Sequence, residues 1–199
     1  AGKTAIAYYL AKSFNDKGMR VLFTAPYTAI VEQTALRFQQ YGLEQPSIIW
    51  QNHPLEDKDN LCQVASLDTT LRREWPDNID LLIIDEAHIK RKRLLEIIDS
   101  ADFPVIGLTA TPYTDWLGRY FDSFIKTTSL KKLIQQGMLS KYEVFAPTNP
   151  NLDKVKTTKL AEFGEDYLES QLEEIMGGSD IVGDIIGNWV DNGETRPTI

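Results

Sequence analysis

The sequence predicts an α/β fold in which a mostly parallel sheet is flanked by helices. Short apolar runs of strand length alternate along the chain with segments whose apolar residues recur at helical spacing. Several of these runs are almost entirely apolar, which is typical of strands buried on both faces of a parallel sheet. The alternation therefore favours strands that are connected through helices, with helices on both sides of the sheet.

Five short runs rich in β-branched residues are predicted as strands. They cover residues 21–23, 48–50, 63–65, 81–84 and 105–108. In sheets of this kind, ligands bind beyond the carboxyl ends of the strands. Residues with chemical function are therefore expected directly after these runs.

Helices are predicted over residues 4–16, 29–41 and 89–100. Gly18 and Gly42 follow the first two and are typical helix-ending residues. In the third segment, four apolar residues are spaced so that they form one face of a helix. These residues are Leu94, Leu95, Ile97 and Ile98.

The composition is that of an ordinary globular protein, with 42% hydrophobic and 25% charged residues among 199. It excludes a disordered chain, a collagen-like repeat and a small disulfide-stabilised protein. No apolar run approaches the roughly 18 residues of a membrane helix, so no membrane partner is expected. The single cysteine, Cys62, is interpreted as a small packed residue. A lone thiol favours a reducing compartment, and a cytoplasmic location is expected.

The net charge of −8 is concentrated near the end of the chain. Residues 161–199 contain ten acidic residues and one basic residue, whereas residues 1–160 are close to neutral. The overall acidity therefore neither favours nor excludes a polyanionic partner. The densest basic run, residues 90–93, is interpreted as a solvated helix face in preference to a nucleic-acid contact.

Three regions are predicted along the chain. Residues 1–147 form a nucleotide-binding domain, residues 148–178 a connector, and residues 179–199 the start of a second domain. The chain opens on Ala1 rather than Met, within what looks like the end of a phosphate-binding motif. We therefore expect an internal fragment of a longer protein.

The first motif with chemical content is Gly2-Lys3-Thr4, at the start of the first predicted helix. In the complete motif, Gly-x-x-x-x-Gly-Lys-Ser/Thr, backbone amides cradle phosphates at a helix N-terminus. The lysine reaches the β- and γ-phosphates, and the hydroxyl binds Mg²⁺. By itself this short string is explained equally well by an ordinary helix start.

The second motif, Asp85-Glu86-Ala87-His88, directly follows a predicted strand. A strand that ends in an acid places a carboxylate at the sheet edge, where it can hold Mg²⁺ through water. Glu86 can then orient or deprotonate an attacking water. A solvated acidic turn is the competing interpretation.

The third motif, Thr109-Ala110-Thr111, follows the strand predicted at residues 105–108. Two hydroxyls at this position can respond to the nucleotide state by hydrogen bonding, although an ordinary turn explains the motif by itself. The combination is informative, because all three motifs fall on the ligand side of one predicted sheet. Their type, order and position together indicate nucleotide hydrolysis.

With these residues, the chain resembles the first RecA-like domain of a superfamily 2 helicase or translocase of the DEAH type. The three motifs above are similar to motifs I, II and III of that family. Pro26-Tyr27-Thr28 resembles motif Ia, and the segment with Asp68 and Thr69 resembles motif Ib. The closest subgroup in motif pattern contains DNA-acting enzymes related to restriction-enzyme motor subunits and excision-repair helicases, and some phage helicases are similar.

The resemblance implies an ATP-dependent motor that uses Mg²⁺. The family motifs that supply the arginine finger are not found in these 199 residues, so the fragment is expected to have little or no activity by itself. It assigns Gly2, Lys3, Thr4, Asp85 and His88 to the nucleotide, with Mg²⁺ on Thr4 and Asp85. Lys3, Asp85 and Glu86 take the catalytic roles, and Thr109 and Thr111, with His88, couple hydrolysis to domain closure. Pro26, Tyr27, Thr28, Asp68 and Thr69 would contact nucleic acid, with DNA favoured over RNA. A second RecA-like domain of the same parent chain would be the other partner.

Two other classes of protein are alternatives. The first is another P-loop NTPase. A transporter ATPase would carry a Gly-rich signature before the Asp-Glu strand, which this sequence lacks, and an assembly ATPase usually has Asn where Thr109 stands. A small-molecule kinase would not need the Asp-Glu pair. A nucleotide-dependent remodelling or sensing ATPase that does not separate strands stays open on sequence grounds.

Overall fold

The computed structural model describes residues 2–126, 128–142, 156–160, 164–167, 171, 187, 189–191 and 193. The chain divides into two compact units, residues 1–124 and residues 125–199. Both predicted domain boundaries, after residue 147 and after residue 178, lie outside the described residues and stay predictions.

The first unit is built on a five-stranded sheet in which every pairing is parallel, as predicted. The strand order is β2-β3-β1-β4-β5. This is the α/β architecture expected of a RecA-like domain. The strands are β1 (Val21–Ala25), β2 (Ser47–Ile49), β3 (Cys62–Ser66), β4 (Leu81–Asp85) and β5 (Val105–Leu108).

Five helices belong to the described part of this unit. Those predicted at residues 4–16 and 29–41 are each displaced by one residue toward the amino terminus. The helices are α1 (Lys3–Asn15), α2 (Thr28–Gln40), α3 (Leu67–Arg72), α4 (Lys92–Ser100) and α5 (Leu117–Tyr120).

The helix predicted from residue 89 begins only at Lys92, so that boundary was wrong. The preceding residues form a turn, in which the amide of Ile89 donates to the carbonyl of Glu86 at 2.9 Å. Arg91 is extended, with φ −137° and ψ 122°. The chain leaves β4 through this turn and begins the helix later than the apolar spacing indicates.

Alternate residues of the central strands face two separate apolar layers. Val21, Phe23 and Ile83 belong to one layer, which also contains buried residues of α1 and α2. Leu22, Leu82 and Ile84 belong to the other, with buried residues of α3 and α4. Because both faces of these strands are buried, successive residues are apolar, and the strands appear in the sequence as continuous apolar runs.

Cys62 is only 3% exposed and belongs to the apolar layer beside α1 and α2. Burial raises the pKa of its thiol to about 12, because the thiolate would lose its hydration. The thiol therefore stays protonated at neutral pH and packs as a small apolar group, as predicted.

The second unit is described only in part. Helix α6 (Leu130–Gln135) begins after Ser129, whose hydroxyl accepts a hydrogen bond from the amide of Lys132 at 3.2 Å. Strands β6 (Thr157–Leu160) and β7 (Gly164–Tyr167) form an antiparallel pair. In neither unit does the described part contain a helix long and apolar enough to cross a membrane.

Candidate active site

The carboxyl edge of the five-stranded sheet carries four of the sequence motifs. Pro26-Tyr27-Thr28 follows β1, and Asp68 lies just beyond β3. Asp85 is the last residue of β4, and Thr109 follows β5. Because these strands are parallel, their ends meet at one edge, as the sequence predicts.

Lys3 is brought to this edge by the start of α1. Gly2 precedes the helix with φ 89°, a left-handed conformation that glycine adopts without steric cost. The carbonyl of Gly2 accepts from the amide of Ile6 at 3.1 Å, so the first turn of the helix is formed. Lys3 then directs its side chain toward the end of β4.

The Lys3 ammonium meets both acids of the second motif, 82 and 83 residues farther along the chain. It donates to Oε1 of Glu86 and lies 3.3 Å from Oδ1 of Asp85. The side chains of Lys3, Asp85 and Glu86 are 29%, 13% and 25% exposed, so water screens the attraction between their charges only partly. One cation is thus shared between two carboxylates.

The pKa of Lys3 reflects two opposing effects. Burial acts to lower it, whereas the hydrogen bond to Glu86 and the charges of Asp85 and Glu86 act to raise it. The raising effects prevail, and the pKa of Lys3 lies above its ordinary value. Lys3 is therefore a permanent cation at neutral pH, suited to an anionic ligand.

Asp85 has the properties of a metal ligand. Its Oδ1 atom is buried and accepts no hydrogen bond with acceptable geometry from any described residue, although Lys3 lies within ion-pair distance. No group of three potential protein ligands occurs in the described part of the chain. One carboxylate oxygen without a hydrogen-bond donor fits Mg²⁺, which is usually held by one or two carboxylates, waters and substrate phosphates.

The backbone of Glu86 is held in an unusual conformation. Its φ is +49°, in the left-handed region that non-glycine residues rarely adopt. The neighbouring amides hold this turn: that of Ala87 donates to the carbonyl of Leu108 at 3.0 Å, and that of Ile89 donates to Glu86 at 2.9 Å. Such strain costs about 1–3 kcal/mol and is common where a side chain must be aimed at a site.

His88 connects the second motif to the third. Its Nδ1 lies 2.9 Å from the Thr109 hydroxyl and 3.3 Å from Oε2 of Glu86. The Thr109 hydroxyl also accepts from the amide of Thr111 at 3.0 Å. Thr111 joins this network through its backbone, while its side chain is exposed. The ends of β4 and β5 are thereby linked by side chains as well as by the sheet.

Thr4 borders an open depression at the start of α1. Gly2 and Thr4 line one wall, Thr34 and Arg37 of α2 line another, and the cavity volume is about 320 Å³. No side chain caps the N-terminus of α1. Its first amides are therefore available to a phosphate group, which the positive end of a helix favours.

The residues predicted to contact nucleic acid lie on the other half of the same edge. Tyr27 is 62% exposed, between Pro26 and the first residue of α2, Thr28. In α3, Asp68 accepts from Nε of Arg91 at 3.5 Å, and Thr69 is partly buried. These residues share the edge with Lys3 and Asp85, and in the described part of the chain no hydrogen bond or ion pair joins them to the nucleotide motifs.

Two features of the site were not predicted. Arg91 reaches back to Asp68, a contact that joins residues 23 positions apart and has no local sequence signal. Gly107 lets the motif II turn approach β5, since a Cβ there would lie 2.9 Å from both Ala87 and Phe121. A single glycine within an apolar strand was a usable signal of such a close approach.

Comparison with known proteins yields two findings. The family described as type III restriction enzyme, res subunit, matches residues 1–114, which include all five parallel strands and every residue of the site. The "51.5 kDa protein" of Lactococcus phage (isolate 7-9) is 24% identical over 206 residues, covering 100% of this chain and 41% of the relative. The chain thus spans about two fifths of that relative's length.

Proposed function

Because this chain belongs to the type III restriction enzyme res subunit family, we propose that it is part of a motor that hydrolyses ATP to move along or unwind nucleic acid. The family lies within helicase superfamily 2, whose domains are motors of the helicase or translocase type. DNA as the substrate, the DEAH assignment and a second RecA-like domain are parts of this proposal, as is a cytoplasmic location.

One observation carries the proposal: the Lys3 ammonium and the Asp85 and Glu86 carboxylates converge at the carboxyl edge of the sheet. A cation at a helix start and an acid at a strand end are the two elements that phosphoryl transfer from ATP requires. An ordinary helix start and a solvated acidic turn do not require these groups to meet. Their contact therefore favours the functional interpretation of both motifs.

The residues divide the chemistry among them. Lys3 and the free amides at the start of α1 bind phosphate oxygens, and Thr4 and Asp85 provide oxygen ligands for Mg²⁺. When bound, Mg²⁺ neutralises charge on the phosphates. Glu86 orients the attacking water and accepts its proton. A phosphate at this point competes with Glu86 for the Lys3 ammonium, so substrate binding releases the carboxylate for its role.

His88 and Thr109 are the residues proposed to couple ATP hydrolysis to movement. Their 2.9 Å contact joins the segment that holds Glu86 to the end of β5. A change in the position of Glu86 is thereby transmitted to the loop that contains Thr111. Tyr27 and Thr28, at the same edge, are the proposed contacts to the backbone of the nucleic acid, which makes movement largely independent of base sequence.

The proposal is tested by the ATPase rate of the full-length protein that contains this chain. The rate is measured without nucleic acid and then with single-stranded DNA, duplex DNA and RNA. We expect one polymer, DNA rather than RNA, to raise the rate at least tenfold, and to do so less at high salt because phosphate contacts are screened. A rate that no polymer changes would refute a nucleic-acid motor and favour a remodelling or sensing ATPase.

A further inference from the structure

We propose that four exposed cations at the end of α3 and the start of α4 form a second nucleic-acid surface that binds the phosphodiester backbone. This basic surface consists of Arg72, Lys90, Lys92 and Arg93, all of which are exposed. The inference rests on the proposed function and adds a binding site to it.

The fold places the two halves of the basic surface side by side. Arg93 donates from Nη2 to the carbonyl of Arg73 at 3.3 Å, across 20 residues of sequence. Arg91 reaches Asp68, within α3, at 3.5 Å, and Arg73 directly follows that helix. Arg72, the last residue of α3, therefore lies next to the start of α4.

The basic surface is not neutralised by the described acidic side chains. Arg91 and Arg73 are paired with Asp68 and Glu56, at 3.5 Å and 3.0 Å. The four residues of the basic surface have no such partner among the carboxylates that the structure describes. This leaves four cations without an ion-pair partner in the described part of the chain, at the end of α3 and in the segment that leads into α4.

The interpretation of residues 90–93 as a solvated helix face fits only Lys92 and Arg93, which are exposed in the first turn of α4. Lys90 and Arg91 precede α4, so they cannot form the i,i+4 pairs that such a face uses. Lys92 has Glu96 at that spacing, yet no ion pair joins them. The first turn of α4 contains no acidic residue. Lys92 and Arg93 lie at the amino end of α4, where the helix dipole is positive. Their charges are therefore unfavourable there until an external anion compensates them.

A polymer of phosphates suits the basic surface better than a single anion. The cations are spread over two elements and exposed to solvent, rather than gathered in a buried polar cradle. The surface also continues from Asp68 and Thr69 at the carboxyl edge, where nucleic acid is already proposed to bind. Lys90 lies four residues beyond Glu86, so a strand held here is joined to the hydrolysis site by a short segment.

The test compares Lys90→Ala/Lys92→Ala with Lys17→Ala/Lys58→Ala in the full-length protein. Lys17 and Lys58 are exposed and lie near the amino ends of β1 and β3, at the opposite edge of the sheet. Binding of labelled single-stranded DNA, duplex DNA and RNA is measured by fluorescence anisotropy between about 50 and about 200 mM salt. We expect the first pair to weaken binding about tenfold at low salt and to reduce the salt slope by about 1.4 on single strands.

The control pair is expected to bind like the wild type, and unchanged Tm values show that both variants are folded. Arg72→Ala, on the other element, is an independent variant expected to weaken binding about threefold. Equal affinities and slopes in the Lys90/Lys92 and control pairs would overturn the inference. If the wild-type ATPase still responds to a polymer in that case, only this surface fails. If no polymer stimulates the wild type, the proposed function fails as well.

Discussion

Replacing Glu86 by Gln is expected to lower ATP turnover by about 10²–10⁴-fold, the contribution of a positioned general base. The amide is nearly isosteric with the carboxylate, but it cannot accept the proton of the attacking water. Lys3 and Asp85 remain to bind phosphate and Mg²⁺, so the affinity for a fluorescent ATP analogue is expected to stay within a few-fold of wild type. Turnover and affinity are measured on the same full-length preparation.

The matched control is Glu44→Gln, since Glu44 is exposed in the segment before β2, at the opposite edge of the sheet. It removes the same charge without touching the site, and unchanged turnover is expected. Turnover of Glu86→Gln equal to that of the control would remove Glu86 from the proposed mechanism. Loss of both binding and turnover would instead assign Glu86 to nucleotide binding.

Replacing Lys3 by Ala is expected to abolish tight ATP binding and to lower turnover by at least about 10²–10³-fold. Lys3 is the one ammonium that contacts Asp85 and Glu86 in the described part of the chain. Without it, the phosphates lose their cation and the two carboxylates repel them. Nucleotide affinity is measured by titration calorimetry, with Lys12→Ala as the control on the same helix.

Lys12 pairs with Asp16 at 2.7 Å near the exposed end of α1, so its removal tests loss of a lysine without loss of the site. An exposed i,i+4 pair of this kind is screened by water and contributes little, so wild-type ATP affinity is expected. The double variant Lys3→Ala/Glu86→Gln separates folding from binding. It relieves the unpaired charge of Glu86 and is expected to regain Tm relative to Lys3→Ala without regaining ATP affinity. ATP affinity of Lys3→Ala equal to wild type would contradict the assigned site.

The sheet, and the edge of it that carries the candidate site, were predictable because their signals are local. Each apolar run of strand length, such as residues 81–84, can be recognised from its own residues. A residue at the carboxyl end of such a strand then lies at the edge of the sheet where ligands bind. The strand order was not predictable, since five buried strands of similar composition do not specify their neighbours. The close contact of Lys3 with both Asp85 and Glu86 follows from that order and from the first turn of α1.

The features that were missed depend on tertiary contacts. Apolar spacing indicates which face of α4 is buried, but the turn held by Glu86 and Ala87 determines where the helix begins. The ion pair of Asp68 with Arg91 likewise depends on how α3 packs beside the end of β4. Lys90 and Arg91 were therefore misplaced on a helix, and the proximity of the basic run to α3 became visible only in the fold.

Directional movement driven by ATP is the central claim, and displacement of streptavidin from a biotinylated DNA strand tests it most directly. We expect the full-length protein to accelerate release in the presence of ATP and Mg²⁺, from one end of the strand in preference to the other. Glu86→Gln is expected to bind the strand without accelerating release. Release that is unaffected by ATP, from a protein that hydrolyses ATP and binds the strand, would contradict the motor and leave a nucleotide-dependent sensor in its place.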